Sequence, residues 1–179
     1  MMEFLDFFKN ALNLKNISRQ GWIDKLSIEH PESVADHSYS MAIMGMVISD
    51  FENYDTEKIL KMILLHDLAE SKIGDFTPEQ ITKSEKEKIE NHAFYDIIET
   101  LPNSIKSPYT SIWKEYQNQI SVEAKIVHQI DRLEMALQAK MYEKSGSSKE
   151  NTATFLQTAK SDITHPKLKE LFTKIVEDQ

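Results

Sequence analysis

Apolar positions recur along most of this chain at intervals of three and four residues, the period of an amphipathic helix. Residues 2–14 carry a first such stripe. Residues 15–32, KNISRQGWIDKLSIEHPE, break the period and read as an irregular connection. Ser33 with Asp36 resembles a capping box opening a helix to about Phe51. Asp55 or Thr56 is placed to cap a third helix reaching about Ser71, with KIGDF as a loop after it. In TPEQI, Thr77 as N-cap, Pro78 and Gln80 predict a short helix. Ser84 and Glu87 would cap another, to about Thr100. LPNSIKSP predicts a loop, 109–118 a helix and 121–144 a long one. KSGSSKEN reads as a link to two last helices near 150–160 and 166–177. No strand pattern emerges, and the fold class expected is all-α, in one domain over 1–179.

Polar residues interrupt the stripes at particular points. His37, Met41, Met44 and Ile48 follow a 4, 3, 4 spacing, and so do Ile59, Ile63, His66 and Glu70. Leu60, Leu64 and Asp67 form the adjacent row. Ala124, Val127, Asp131, Met135 and Ala139 make a third stripe. Three helices therefore turn an imidazole or a carboxylate toward apolar company. An unpaired buried carboxylate is costly, and a divalent cation removes that cost. Two imidazoles and two carboxylates make an N2O2 donor set. Each residue also has a plainer reading: a core histidine, or an aspartate paired with Arg132 or Lys125. Periodicity alone does not choose between them.

Composition narrows the chemistry. The 179 residues hold no cysteine, so a metal would rest on His and carboxylates, and disulfides are excluded. This fits a reducing, cytoplasmic setting. The net charge of -8 with no dense basic face argues against a nucleic-acid polymer as partner. No stretch reaches the roughly 20 apolar residues of a membrane span, and no signal peptide is visible. The run KSEKEKIE, Lys83 to Glu90, reads as a solvated helix face without a binding role. Met41, Met44, Met46, Met62 and Met135 read as core filler.

His37, then His66-Asp67, then Asp131 resembles the H…HD…D motif of the HD-domain phosphohydrolases. HPESVADHSYSMAIM, LLHDLAESKIGDFTP and SVEAKIVHQIDRLEMALQA, with RQGW upstream and IWKEYQNQ between, resemble the YfbR-like 5′-deoxynucleotidases. The likeness covers most of residues 1–145; the C-terminal helices carry no motif. It implies an all-α HD bundle with one divalent metal, its identity open, held by His37, His66, Asp67 and Asp131. It implies phosphate release from (deoxy)nucleoside 5′-monophosphates, and a homodimer. Glu70 would be the acid/base residue and Asp75 a second catalytic carboxylate. Arg19 would hold the phosphate, and Trp22 would lie near the sugar. Here Gln20 and Gly21 separate Arg19 from Trp22, which some family members place side by side. Glu70 is followed by Ser71 rather than a second acid, unlike the guanosine tetraphosphate hydrolases of the superfamily. His92 and His128 do not match the motifs of the two-metal HD phosphodiesterases. Hydrolysis of another small phosphate ester, or a metal that merely staples helices in a binding module, are the competing readings.

Overall fold

The computed structural model describes residues 4–178. The architecture is all-α: α1 (Leu5–Asn13), α2 (Gln20–Leu26), α3 (Val34–Glu52), α4 (Thr56–His66), α5 (Glu70–Ile73), α6 (Lys83–Ile98), α7 (Asn103–Gln117), α8 (Val122–Lys144), α9 (Lys149–Asp162) and α10 (Pro166–Glu177). Among the described residues the only β-type pairing is a single antiparallel bridge between Ser18 and Ser33. The expected start of the first helix at residue 2 lies outside the described residues.

Side-chain caps open α3, α4, α6, α8 and α9. The Ser33 hydroxyl accepts from the Asp36 amide, and the Asp36 carboxylate accepts from the Ser33 amide, closing the expected box at α3. Asp55 caps α4 through the Lys58 amide, and Ser121 caps α8 through the Ala124 amide. Other boundaries differ from those expected. The connection over 15–32 is not wholly irregular: it folds a 3-10 turn (Leu14–Asn16) and then α2, which buries Trp22. Residues 78–80 form a turn rather than a short helix, although the Gln80 side chain does return to the Thr77 amide at 3.0 Å. The box that opens α6 uses Thr82 and Glu85, slightly ahead of Ser84 and Glu87. LPNSIKSP is mostly helical, because α7 starts at Asn103 and carries Pro108 in its second turn. There a proline forgoes one backbone bond, which packing of Trp113 and Tyr116 outweighs.

Two apolar clusters fill the interior. One joins Trp22, Met41, Ile59, Met62 and Ile63 to the buried row of α8 and to Phe155, Ile163 and Leu168 of the C-terminal segment. The other joins Leu14, Val34, Leu65 and Leu68 to Phe94, Ile97 and Trp113. Met41, Met62 and Met135 are core as expected, but Met46 is exposed. α3 and α4 meet at Gly45, where an added Cβ would collide with Ile63 and come within 3.1 Å of Ile59 Cγ2. That close approach brings His37 and His66 together, with ring centroids 5.6 Å apart.

Candidate metal centre and its pocket

The third expected helix does not run on to Ser71. It stops at His66, and Asp67 has left helical geometry at φ -108°, ψ 11°. A tight turn follows, with the Glu70 amide bonded to the Asp67 carbonyl at 3.0 Å, and α5 begins. The break separates neighbours in the motif. His66 stays on α4, Asp67 sits at its end, and Glu70 starts a new helix. Gly74 then adopts φ +82°, a region glycine enters without steric cost, and turns Asp75 back toward α2. The Asp75 carboxylate accepts from the Gln20 amide at 2.9 Å.

His37, His66 and Asp67 each offer a ligand atom within 4.8 Å of the other two. Asp131 joins them, its Oδ1 lying 3.4 Å from His37 Nε2. Each imidazole spends its δ nitrogen elsewhere: His37 Nδ1 on Glu134 Oε2 and His66 Nδ1 on the Ile63 carbonyl, both at 2.6 Å. With Nδ1–H donating, Nε2 is the nitrogen of each ring that would offer its lone pair to a cation in place of a proton. Both ε nitrogens are buried without a hydrogen-bond partner. His66 Nε2 lies 3.0 Å from Asp67 Oδ2. Two unsatisfied imidazole nitrogens facing two carboxylates fit a divalent cation with borderline and hard preferences. The charges point the same way. Burial acts to raise Asp67, but His66, Arg19 and His37 outweigh it and hold the carboxyl well below the usual range. Burial opposes ionisation of Asp131 too, and Arg132 and His37 overcome it. Burial and Arg19 act to lower His37, yet contacts with Asp131 and Glu134 raise it to about 9. The cluster favours positive charge at its centre.

An open cavity of about 330 Å³ lies over this cluster. Arg19, Trp22, His66, Asp67, Glu70, Asp75 and Asp131 all line it, whereas His37 sits fully buried behind. Glu70 is 1 % exposed, not a solvated helix end, and its Oε2 has no partner. Burial first, then Asp67 and Asp75, push its carboxyl well above the ordinary range. Arg19 reaches Asp67 Oδ2 at 3.5 Å and Asp75 Oδ2 at 3.9 Å. The Trp22 indole donates to Glu32 Oε1 at 2.8 Å and packs on Phe155.

The structure adds residues outside the expected set. KSEKEKIE is not merely a solvated face. Lys86 Nζ lies 3.5 Å from Glu70 Oε1, 3.8 Å from Asp75 Oδ1 and 3.6 Å from Glu90 Oε1, and it donates to the Phe76 carbonyl at 3.0 Å. Lys86, Glu90, Ala93 and Ile97 repeat the same 4, 3, 4 spacing, a signal present in the sequence. Glu134 lies three residues past Asp131, one turn along the same face. Glu32, in a loop, had no periodic signal. His128 stacks on Tyr116 and bonds its carbonyl, and His92 is exposed beside Asp96.

The all-α bundle that carries this cluster is similar to HD-domain proteins: the HD domain family model matches residues 11–172. A 5′-deoxynucleotidase HDDC2 from Dictyostelium discoideum is 38% identical over 190 residues, covering 100% of both chains. The human 5′-deoxynucleotidase HDDC2 is 35% identical, over 96% of this chain and 83% of its own length. Among solved structures, a Pyrococcus horikoshii OT3 protein is 30% identical with a TM-score of 0.78, covering 98% of each chain. A predicted metal-dependent phosphohydrolase from Magnetospirillum magnetotacticum shares the fold at a TM-score of 0.74 and 22% identity, over 99% of this chain and 91% of its own. The chain belongs to the HD-domain family, among its 5′-deoxynucleotidases.

Proposed function

We propose that the chain is a metal-dependent phosphohydrolase that releases inorganic phosphate from deoxynucleoside 5′-monophosphates. The carrying observation is the pocket itself. Two partnerless imidazole nitrogens and two carboxylates stand at its base, and a buried, partnerless carboxyl oxygen of Glu70 stands beside them. A metal that merely staples helices would need no such Glu70.

His37, His66, Asp67 and Asp131 would hold the cation. Bound there, a divalent ion would neutralise phosphoryl oxygens and acidify water. Arg19 has a planar fork suited to the remaining phosphate oxygens, and through Asp67 and Asp75 it already reaches the cluster. In hydrolysis, water oxygen bonds to phosphorus, the P–O5′ bond breaks, and a proton passes to O5′. Glu70, raised by burial toward neutrality, is suited to accept and return that proton. Asp75 stands between Arg19 and Lys86, positioned to orient the sugar or the leaving oxygen. Trp22, with its N–H committed to Glu32, offers the pocket an apolar face where a 2′-hydroxyl finds no partner. The rest is positioning and charge stabilisation, which phosphoryl transfer rewards.

The same reading takes the chain as a single domain, and the family match at 11–172, which reaches the C-terminal helices, supports it. It makes the protein cytoplasmic. No described helix is long and apolar enough to cross a membrane. It also makes the protein a homodimer, supported by an apolar outer stripe on α3.

The test is phosphate release from deoxyribo- and ribonucleoside 5′-monophosphates, using metal-stripped protein with each divalent metal restored. Metal-dependent release favouring the deoxy substrates is expected, and Asp67→Ala should reduce it to background. No release from folded, metal-loaded protein would defeat the reading. Release without sugar preference would remove the role given to Trp22.

A further inference from the structure

Behind the metal cluster, on the side away from the cavity, His37 meets a second pair of acids. Glu32, His37 and Glu134 offer ligand-type atoms within 4.8 Å of one another. Glu134 is 3 % exposed and His37 is fully buried. Their contact, Nδ1 to Oε2 at 2.6 Å, is short even for a charge-assisted bond. Glu32 is fixed differently. Its carboxylate accepts from the Trp22 indole, its amide donates to the Tyr142 hydroxyl at 3.0 Å, and its carbonyl accepts from the Arg19 amide. A buried carboxylate is retained at a cost unless something uses it. Glu134 has one polar side-chain contact among those described, and that contact is the imidazole.

We propose that Glu134 is a positioning residue for the cation site, acting through His37. By accepting from Nδ1–H it fixes the tautomer, pins the ring plane and leaves Nε2 as the donor beside Asp67 and Asp131. The carboxylate also increases the basicity of that nitrogen. His66 is held the same way by a backbone carbonyl, a neutral acceptor, so the two imidazoles are held unequally. Glu32 acts elsewhere, tying the Trp22 wall of the cavity to the segment that carries Arg19. The proposal rests on the metal-site reading and not on the identity of the substrate.

The experiment is calorimetric titration of metal-stripped full-length protein with Mn²⁺, comparing wild type, Glu134→Gln, Glu134→Ala and Glu32→Gln. Far-UV circular dichroism and urea midpoints check that each is folded. Glu134→Ala should bind Mn²⁺ about 10- to 100-fold more weakly. Glu134→Gln, which keeps an acceptor but loses the charge, should fall between it and wild type. Glu32→Gln should weaken binding less than Glu134→Gln does, because Glu32 does not hydrogen-bond Nδ1. If the folded Glu134→Gln protein, which preserves shape, and the alanine variant bind as wild type does, the proposal is overturned while the metal site stands. It is overturned equally if Glu32→Gln weakens binding as much as Glu134→Gln, since general acidity of the cluster would then be the cause. Absence of Mn²⁺ binding by the wild type would remove the metal reading and this role together.

Discussion

Lys86 places one ammonium among the carboxylates of Glu70, Asp75 and Glu90, and it is tied to the loop through the Phe76 carbonyl. It holds Glu70 by Oε1 and leaves Oε2 without a partner. Lys86→Met should therefore lower the rate of phosphate release about tenfold, the weight of one charge-assisted contact, with Lys86→Arg recovering part of it. Steady-state rates of the two variants check this; an unchanged rate would reduce Lys86 to a surface tether. Glu90 gives a pH test. Burial raises its carboxyl from 4.5 to about 7, against the pull of Lys86. The folded state then keeps a proton that the unfolded chain has lost, so stability falls as pH rises from about 4.5 to about 7. In metal-free protein, Glu90→Gln should flatten that decline and gain about 1 kcal/mol at pH 8 in urea unfolding, the lost Lys86 contact offsetting the remainder. The His, Asp and Glu residues expected at the site were legible because most interrupt an apolar stripe and all fall within the motif blocks. Lys86 and Glu90 break a stripe as well, but on a helix whose other positions are charged, where an inward pair does not stand out. Glu32 was invisible for a different reason: its partners Trp22 and Tyr142 are 10 and 110 residues away.

Among the elements, the pairing of α3 with α4 sets the distance between the two histidines. Gly45 allows it, and Ile59 and Ile63 fill the space a side chain would need. Gly45→Ala gains helix propensity of about 1 kcal/mol, yet it forces stiff, branched neighbours aside at a cost of about 1–3 kcal/mol. The net expectation is a loss of about 1 kcal/mol in urea unfolding and a weaker Mn²⁺ isotherm as His37 and His66 part. A stabilised variant with unchanged Mn²⁺ affinity would mean that α4 can shift without moving the site. Element existence followed from periodicity and caps, as the box at Ser33 and the caps at Asp55 and Ser121 show. The failures have local causes. The stripe Ile59, Ile63, His66, Glu70 continues in register across the turn at Asp67, so periodicity could not see the break. In α7, Pro108 reads as a loop residue, but tertiary packing of Trp113 and Tyr116 overrides it. α2, at 7 residues, is below the length at which a stripe declares itself.

For the molecule as a whole, α3 presents two apolar faces. Val34, Met41, Gly45 and Ile48 are turned to the core, while Tyr39, Ile43, Val47 and Phe51 lie on the opposite side, exposed by 69, 45, 59 and 70 %. A helix apolar all round is normally covered on both sides. Beside this outer stripe runs an apolar groove of about 420 Å³ between α1, α3 and α4, and Phe8, Leu12 and Leu64 stand exposed around it. Together these exceed the isolated apolar residues normal for a monomer's surface. The stripe also suits a two-fold axis. In an antiparallel pair of α3 helices crossing near residue 45, Tyr39 would meet Phe51 of the second copy and Ile43 would meet Val47, each contact occurring twice. The expected mass in light scattering is twice 20.8 kDa. Val47→Glu would place two carboxylates near that axis and should give folded monomer, with the cation site intact by calorimetry because Val47 lies ten residues, about 15 Å, along α3 from His37. A wild-type mass of 20.8 kDa would refute self-association through this face. A dimer that survives Val47→Glu would move the interface elsewhere.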